Sequence, residues 1–252
     1  MIRAVIFDVD FTLIYPGPVF GAEGYRAFCE RHGMTVDVDR FDEALVTGAA
    51  LLDGRDRPEY DADVYLRYVR HIIGHMGATG EALDPCAREI YDQWAVCRHF
   101  ELYDDVRPTF EELAAGGIRI GLISNSHRCL DSFQSHFELR GLIGASVSSA
   151  VYGMMKPHPS IFTETLSVLN VSPGEAVMVG DNVRDDIEGA LRAGMRAVLI
   201  NRGGDVHPDA AAMAAADVRV VTSLRAVPGL IGAATGVAGG VRDAVREGLH
   251  PA

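Results

Sequence analysis

Two aspartates one residue apart close the first apolar run of the chain, Ala4-Val5-Ile6-Phe7-Asp8-Val9-Asp10-Phe11-Thr12-Leu13. Val, Ile and Phe in succession predict a buried strand. A strand ending in Asp8 and Asp10 brings two carboxylates to one pole of a sheet. Like charges that close repel each other and resist desolvation. A polar turn accounts for one Asp at a strand end. A pair is better explained by chemistry, and a divalent cation beside the carboxylates would offset the repulsion.

Three later segments carry matching chemistry. After a second apolar run comes Ile123-Ser124-Asn125-Ser126, where a hydroxyl and the N–H groups entering the next helix can bind a phosphoryl oxygen. Taken alone, Ser-Asn after a strand also reads as a turn or N-cap. After a third comes Val179-Gly180-Asp181-Asn182-Val183-Arg184-Asp185-Asp186, with three carboxylates at the start of a helix. The helix dipole and N-capping explain one of them, not all three. Asp181 is the first metal-ligand candidate, Asp186 a turn later the second, and Asp185 the weaker of the two late residues. The fourth signal is compositional. The chain has 23 basic residues, and Lys156 is the only lysine among them. It sits in Met155-Lys156-Pro157-His158-Pro159. Arg is a planar fork and Lys a compact point charge on a flexible stem, so a crowded site holding carboxylates and a phosphoryl group would require the latter.

These residues need a scaffold that gathers strand ends. From residue 105 onward, strands and helices alternate: strands over 118–123, 145–149, 176–179, 197–200 and 218–221, helices over 110–115, 130–137, 160–169 and 185–193. Alternation of this kind predicts a doubly wound parallel α/β sheet, Rossmann-like, with helices on both faces. Ligands of such sheets bind at the carboxyl ends of the strands. Between the first strand and residue 105 the period changes. Helices are expected over 25–31, 40–52, 60–76 and 85–100, and no convincing strand. The expected organisation is a core of residues 1–17 and 105–252 with an all-α insert of residues 18–104, and a terminal helix plus loose tail over 228–252.

Composition narrows the partners. Hydrophobic residues make up 48% of the 252, an ordinary globular content. The net charge of −12 and the lack of a Lys/Arg block argue against nucleic acid or an anionic membrane as partner. The insert alone carries 17 acidic residues against 9 arginines, which disfavours a large polyanion and suits a small phosphorylated metabolite such as a sugar, polyol or nucleoside monophosphate. No apolar run is long enough to span a membrane. Met1-Ile2-Arg3 leads directly into a strand with no signal-peptide organisation, and Cys29, Cys86, Cys97 and Cys129 lack C-x-x-C spacing; a cytoplasmic protein with reduced thiols is expected, as monomer or homodimer.

The four segments, in this order, resemble the haloacid dehalogenase superfamily of hydrolases: D-x-D-x-T at Asp8-Val9-Asp10-Phe11-Thr12, Ser124 after a strand, Lys156 before a proline, and Gly180-Asp181 through Asp186. The insert resembles that family's type-1 cap. The resemblance implies a phosphatase in which Asp8 is the nucleophile and forms an aspartyl-phosphate, while Asp10 protonates the leaving oxygen and then activates water. It implies that Thr12, Ser124 and Asn125 serve the phosphate side, Thr12 also positioning Asp10, and that Lys156 neutralises charge. It implies that Mg²⁺ is held by Asp8, the Asp10 carbonyl and Asp181, with Asp186 in support. Phe11 departs from the glycine common at its place.

Other members of that superfamily set the alternatives. A dehalogenase would lack the acid at Asp10, and a phosphonate hydrolase would need a cap lysine, which is absent here. A phosphomutase shares every core residue, and a non-catalytic phosphate-binding homologue would be expected to have lost one of them. Remaining polar and aromatic residues read as structural: His127 at a helix start, His158 in a loop, Tyr91, Trp94 and Phe100 at helical spacing in the insert core, and His71 and His75 as a pair without a third metal ligand.

Overall fold

The computed structural model describes residues 1–53, 57–204, 213 and 215–233. Its centre is a six-stranded sheet in the order β5-β4-β1-β6-β7-β8, with every pairing parallel. The strands are β1 (Ala4–Phe7), β4 (Arg119–Ser124), β5 (Ile143–Ser148), β6 (Ala176–Gly180), β7 (Arg196–Ile200) and β8 (Arg219–Val221). All four residues of β1 are buried. Val5 and Phe7 belong to one apolar cluster, Ala4 and Ile6 to the other, as the two-residue period of a strand covered on both faces demands.

Helices α5 (Val106–Ala115), α6 (Leu130–His136), α7 (Ser149–Tyr152), α8 (Pro159–Leu169), α9 (Gly189–Arg192) and α10 (Val227–Ala233) connect or flank these strands. His158 caps α8 by accepting from the Ser160 N–H, and Asn170 ends it in the left-handed conformation. The chain winds from β1 to β4 and β5 on one side, then returns to β6 on the other. Phe7 is level with Leu122 of β4 and with Val179 of β6, so the carboxyl ends of three central strands open on one crevice, where such sheets bind ligands.

Helices α1 (Ala22–Arg31), α2 (Phe41–Asp53), α3 (Ala62–His75) and α4 (Leu83–Trp94) form the insert. It is entered and left through an antiparallel ribbon of β2 (Ile14–Pro16) and β3 (Phe100–Leu102). Two sequence expectations are corrected here. The stretch expected to lack strands contains β3, and the helix expected to reach Phe100 stops at Trp94. Three residues are too few to display a period, and each strand of the ribbon exists only because the other pairs with it. A third correction concerns 185–193: a π-helical turn over Val183–Glu188 precedes α9; Asn182 caps it by accepting from the Asp185 N–H, and Gly189 after it packs against the Phe162 ring, where a Cβ would lie 2.7 Å from Cζ. The tail expected over 228–252 lies outside the described residues beyond 233. All four cysteines are free. Among the described residues no helix is long and apolar enough to cross a membrane.

Candidate active site

Asp8 follows β1 directly, and its N–H donates to the Val179 carbonyl at 2.9 Å, continuing the β1–β6 ladder by one residue. Lys156 arrives from the loop before α8. Its Nζ donates to Asp8 Oδ1 at 2.5 Å, to Asp186 Oδ1 at 2.6 Å and to the Ile123 carbonyl at 3.2 Å. The ammonium is 2% exposed and its three donors are used. Burial works against its charge, but Asp186 and Asp8 outweigh burial and push its pKa above the ordinary lysine range.

Asp8, Asp181 and Asp186 each offer a carboxylate oxygen, all within 4.8 Å of one another. Burial pushes the Asp8 and Asp186 carboxyls above the usual range despite the pull of Lys156. Burial and the Asp186 charge push Asp181 up to about 7. Three carboxylates against one ammonium leave negative charge uncompensated. Asp186 reaches this cluster because residue 180 is glycine: a Cβ there would lie 2.2 Å from Asp186 Oδ2. Asp185 turns elsewhere and accepts from Asn125 Nδ2 at 3.0 Å.

Asp10 is not part of the cluster. Its carboxylate faces Arg128, whose Nη1 lies 2.7 and 2.9 Å from its two oxygens, with Ser124 Oγ at 3.4 Å. Arg128 is 0% exposed, donates from Nη2 to the Trp94 carbonyl at 2.8 Å, and stacks 4.2 Å from the Phe100 ring centroid. Sequence reasoning missed this residue. One arginine among 22 has no compositional signal, although its place four residues after Ser124, in the loop leaving β4, was a clue.

Two of the residues expected on the phosphate side make hydrogen bonds within the site. The Thr12 hydroxyl is fully buried and donates to Asp181 Oδ1 at 3.1 Å, so it orients a cluster carboxylate. The Asn125 amide is occupied on both ends: Oδ1 accepts from the Lys156 N–H at 2.8 Å, and Nδ2 donates to the Lys156 carbonyl and to Asp185, each at 3.0 Å. It braces the lysine loop. Ser124 Oγ, 2.8 Å from Ser126 Oγ, stays at the strand end beside Asp10.

The sequence matches the family of haloacid dehalogenase-like hydrolases over residues 2–194. The chain belongs to that family. It is 32% identical over 209 residues to a glyceraldehyde 3-phosphate phosphatase of Methanopyrus kandleri, covering 81% of this chain and 85% of the relative. The fold superimposes on a HAD phosphatase from Thermococcus onnurineus with a TM-score of 0.64 at 25% identity, covering 92% of this chain and 98% of the other. It also matches a 2-haloacid dehalogenase from Pseudomonas syringae pv. Tomato DC3000, with a TM-score of 0.60, 26% identity and coverage of 92% and 99%. Phosphatase is the activity that recurs among the curated relatives, and the chain is a hydrolase of the phosphatase type.

In this haloacid dehalogenase-like hydrolase a cavity of about 250 Å³ opens between the strand ends and the insert, reaching Asp8, Asp10, Lys156 and Asp181. Tyr91 and Trp94, expected in the insert core, line it. So does His127, which stacks on Tyr91 with centroids 4.0 Å apart; burial and Arg128 hold its imidazole below the usual pKa. Phe11 also lines the cavity, 46% exposed and with φ at 61°. For a bulky residue that backbone costs about 1–2 kcal/mol. His71 shares a hydrogen bond with Thr47 and His75 Nε2 lies 3.1 Å from a Glu43 carboxylate oxygen, and Phe100 packs against the Arg128 guanidinium in the core.

Proposed function

We propose that this chain hydrolyses phosphate monoesters of small metabolites through an aspartyl-phosphate on Asp8, with Mg²⁺ as its cation. The convergence of Asp8, Lys156, Asp181 and Asp186, drawn from three separate segments onto one crevice, carries this reading. The donor set suits Mg²⁺: hard carboxylate oxygens, close together, with charge that one ammonium does not offset. Asp8, Asp181 and Asp186 would hold the ion, with the Asp10 carbonyl as a further oxygen. When bound, it supplies positive charge that lowers the repulsion between a phosphate dianion and the nucleophile.

The residues divide the reaction between them. An Asp8 oxygen attacks phosphorus and the bond to the alcohol oxygen breaks; the Asp10 carboxyl gives its proton to that oxygen. Asp10, now ionised, takes a proton from water as the water attacks phosphorus, and the bond to Asp8 breaks, releasing inorganic phosphate. Lys156 balances charge around Asp8, and Ser124 contributes a hydroxyl toward the phosphoryl oxygens. The insert acts as the cap: Arg128 ties Asp10 to the Trp94 carbonyl, so movement of the insert would change how Asp10 is held. Several of the curated relatives are named as phosphatases of small phosphorylated compounds, which supports the same substrate class.

The test is phosphate release over a metabolite panel with and without Mg²⁺, alongside Asp8→Asn. Mg²⁺-dependent release that falls at least about 10³-fold in Asp8→Asn, with the fold intact by circular dichroism, is expected. Undiminished turnover would remove Asp8 from its role.

A further inference from the structure

The insert's contribution to the cavity is uniform among the described residues: each one it places in the lining is aromatic or aliphatic. Three of its tyrosine hydroxyls are already engaged. Tyr60 and Tyr91 share a hydrogen bond of 2.6 Å, and Tyr65 donates to the Asn125 carbonyl at 2.9 Å. Leu52 and Val69 add aliphatic carbon. A polyol in this space would find few polar partners beyond tyrosine hydroxyls, three of them engaged, so several of its hydroxyls would lose water against carbon without a replacement. A second phosphate or a carboxylate would meet no cation among the described lining residues of the insert, while the catalytic end of the cavity carries five aspartates and one lysine.

Phe11 points to the same ligand chemistry from the core side. Its ring is held half-exposed on a left-handed backbone, 6.4 Å from the Trp94 ring. Backbone strain of this kind clusters at ligand clamps, and the ring that it holds lines the cavity. A cavity of about 250 Å³ accommodates one ring of modest size. Resting on the phosphatase reading above, we propose that the alcohol part of the substrate carries a neutral planar ring, and that Phe11 selects for it.

The experiment compares phosphate release, with Mg²⁺, from benzyl phosphate, glycerol phosphate and a hexose bisphosphate, all esters of alkyl alcohols. The ring ester is expected to exceed the other two in kcat/KM by about tenfold or more. Phe11→Gly should lower the ratio of benzyl to glycerol phosphate about tenfold through KM, whereas Phe11→Tyr keeps it. Phe11→Gly should also raise the thermal midpoint by releasing the backbone, which separates lost selectivity from misfolding. A wild-type preference for glycerol phosphate or the bisphosphate, or an unchanged ratio in Phe11→Gly, overturns the ring and leaves the phosphatase reading standing. Release from none of the three by a protein that is active on the metabolite panel overturns the ring alone, and inactivity on both overturns both readings.

Discussion

Arg128 holds both oxygens of Asp10 from one guanidinium nitrogen, while its neighbouring nitrogen holds the carbonyl of Trp94, the last residue of the insert's fourth helix. One buried cation thus spans the catalytic loop and the insert. Arg128→Met should destabilise the fold by about 3 kcal/mol, since it leaves a half-buried carboxylate unpaired; chemical denaturation measures this. It should also lower kcat more than it raises KM, because in the proposed mechanism Asp10 acts in the transition state and not in ground-state binding. Arg128→Lys should recover stability better than kcat, because a single ammonium does not hold Asp10 and the Trp94 carbonyl in the same geometry. An unaffected kcat in both variants would make Arg128 a packing residue alone.

Lys156→Arg tests the compactness of the ammonium. Nζ sits between Asp8 and Asp186 at 2.5 and 2.6 Å with the side chain 2% exposed. A guanidinium is larger and planar, and inserting it into closed packing costs about 1–3 kcal/mol. Phosphate release should fall at least about 10²-fold, with charge conserved. A near-normal rate would mean that charge alone, without shape, suffices at this position.

Proton competition at Asp181 predicts how Mg²⁺ stabilisation depends on pH. Burial raises this carboxyl from 3.8 to about 7. A raised acid favours the folded state below its unfolded pKa, and that contribution is lost as pH rises through the folded value. The metal-free protein should therefore weaken between about pH 4 and pH 7 from this group. Mg²⁺ requires the ionised carboxylate, so the rise in thermal midpoint on adding it should be larger near pH 8 than near pH 6. Thermal melts at fixed Mg²⁺ read this directly; an equal rise at both would place the ion away from Asp181.

Gly180→Ala should damage the site without touching a charged residue. The new methyl would stand 2.2 Å from Asp186 Oδ2, so Asp186 would have to leave Lys156. Loss of Mg²⁺-dependent stabilisation together with activity, in a protein that still folds, is the expected result. A variant with normal Mg²⁺ response would show that Asp186 is dispensable for the ion.

Legibility followed range and repetition. Ala4–Phe7 could be read because a strand buried on both faces is apolar at every position. Lys156 could be read because a single lysine in a chain of arginines is a deviation visible in composition, and the structure seats it against Asp8 and Asp186. Phe100–Leu102 could not, since its only cause is a partner strand far away in the chain. Tyr91 and Trp94 show the limit of periodicity. Helical spacing reveals that a face is apolar but is silent on whether protein or ligand covers it. Asn125 and Thr12 were placed on the right loops, yet their bonds to Asp185 and Asp181 depend on how four loops meet.

The ribbon of β2 and β3 sets Tyr15 opposite Glu101 and Pro16 opposite Phe100, so the chain departs from the core and comes back to it one ladder spacing apart, about 5 Å. Whatever lies between those two points is topologically a single hairpin loop, however many helices it contains. Recombination or engineering could exchange this whole segment for one of different length and shape while the parallel sheet keeps its winding, so that new selectivities arise by graft and the hydrolytic machinery passes on unchanged.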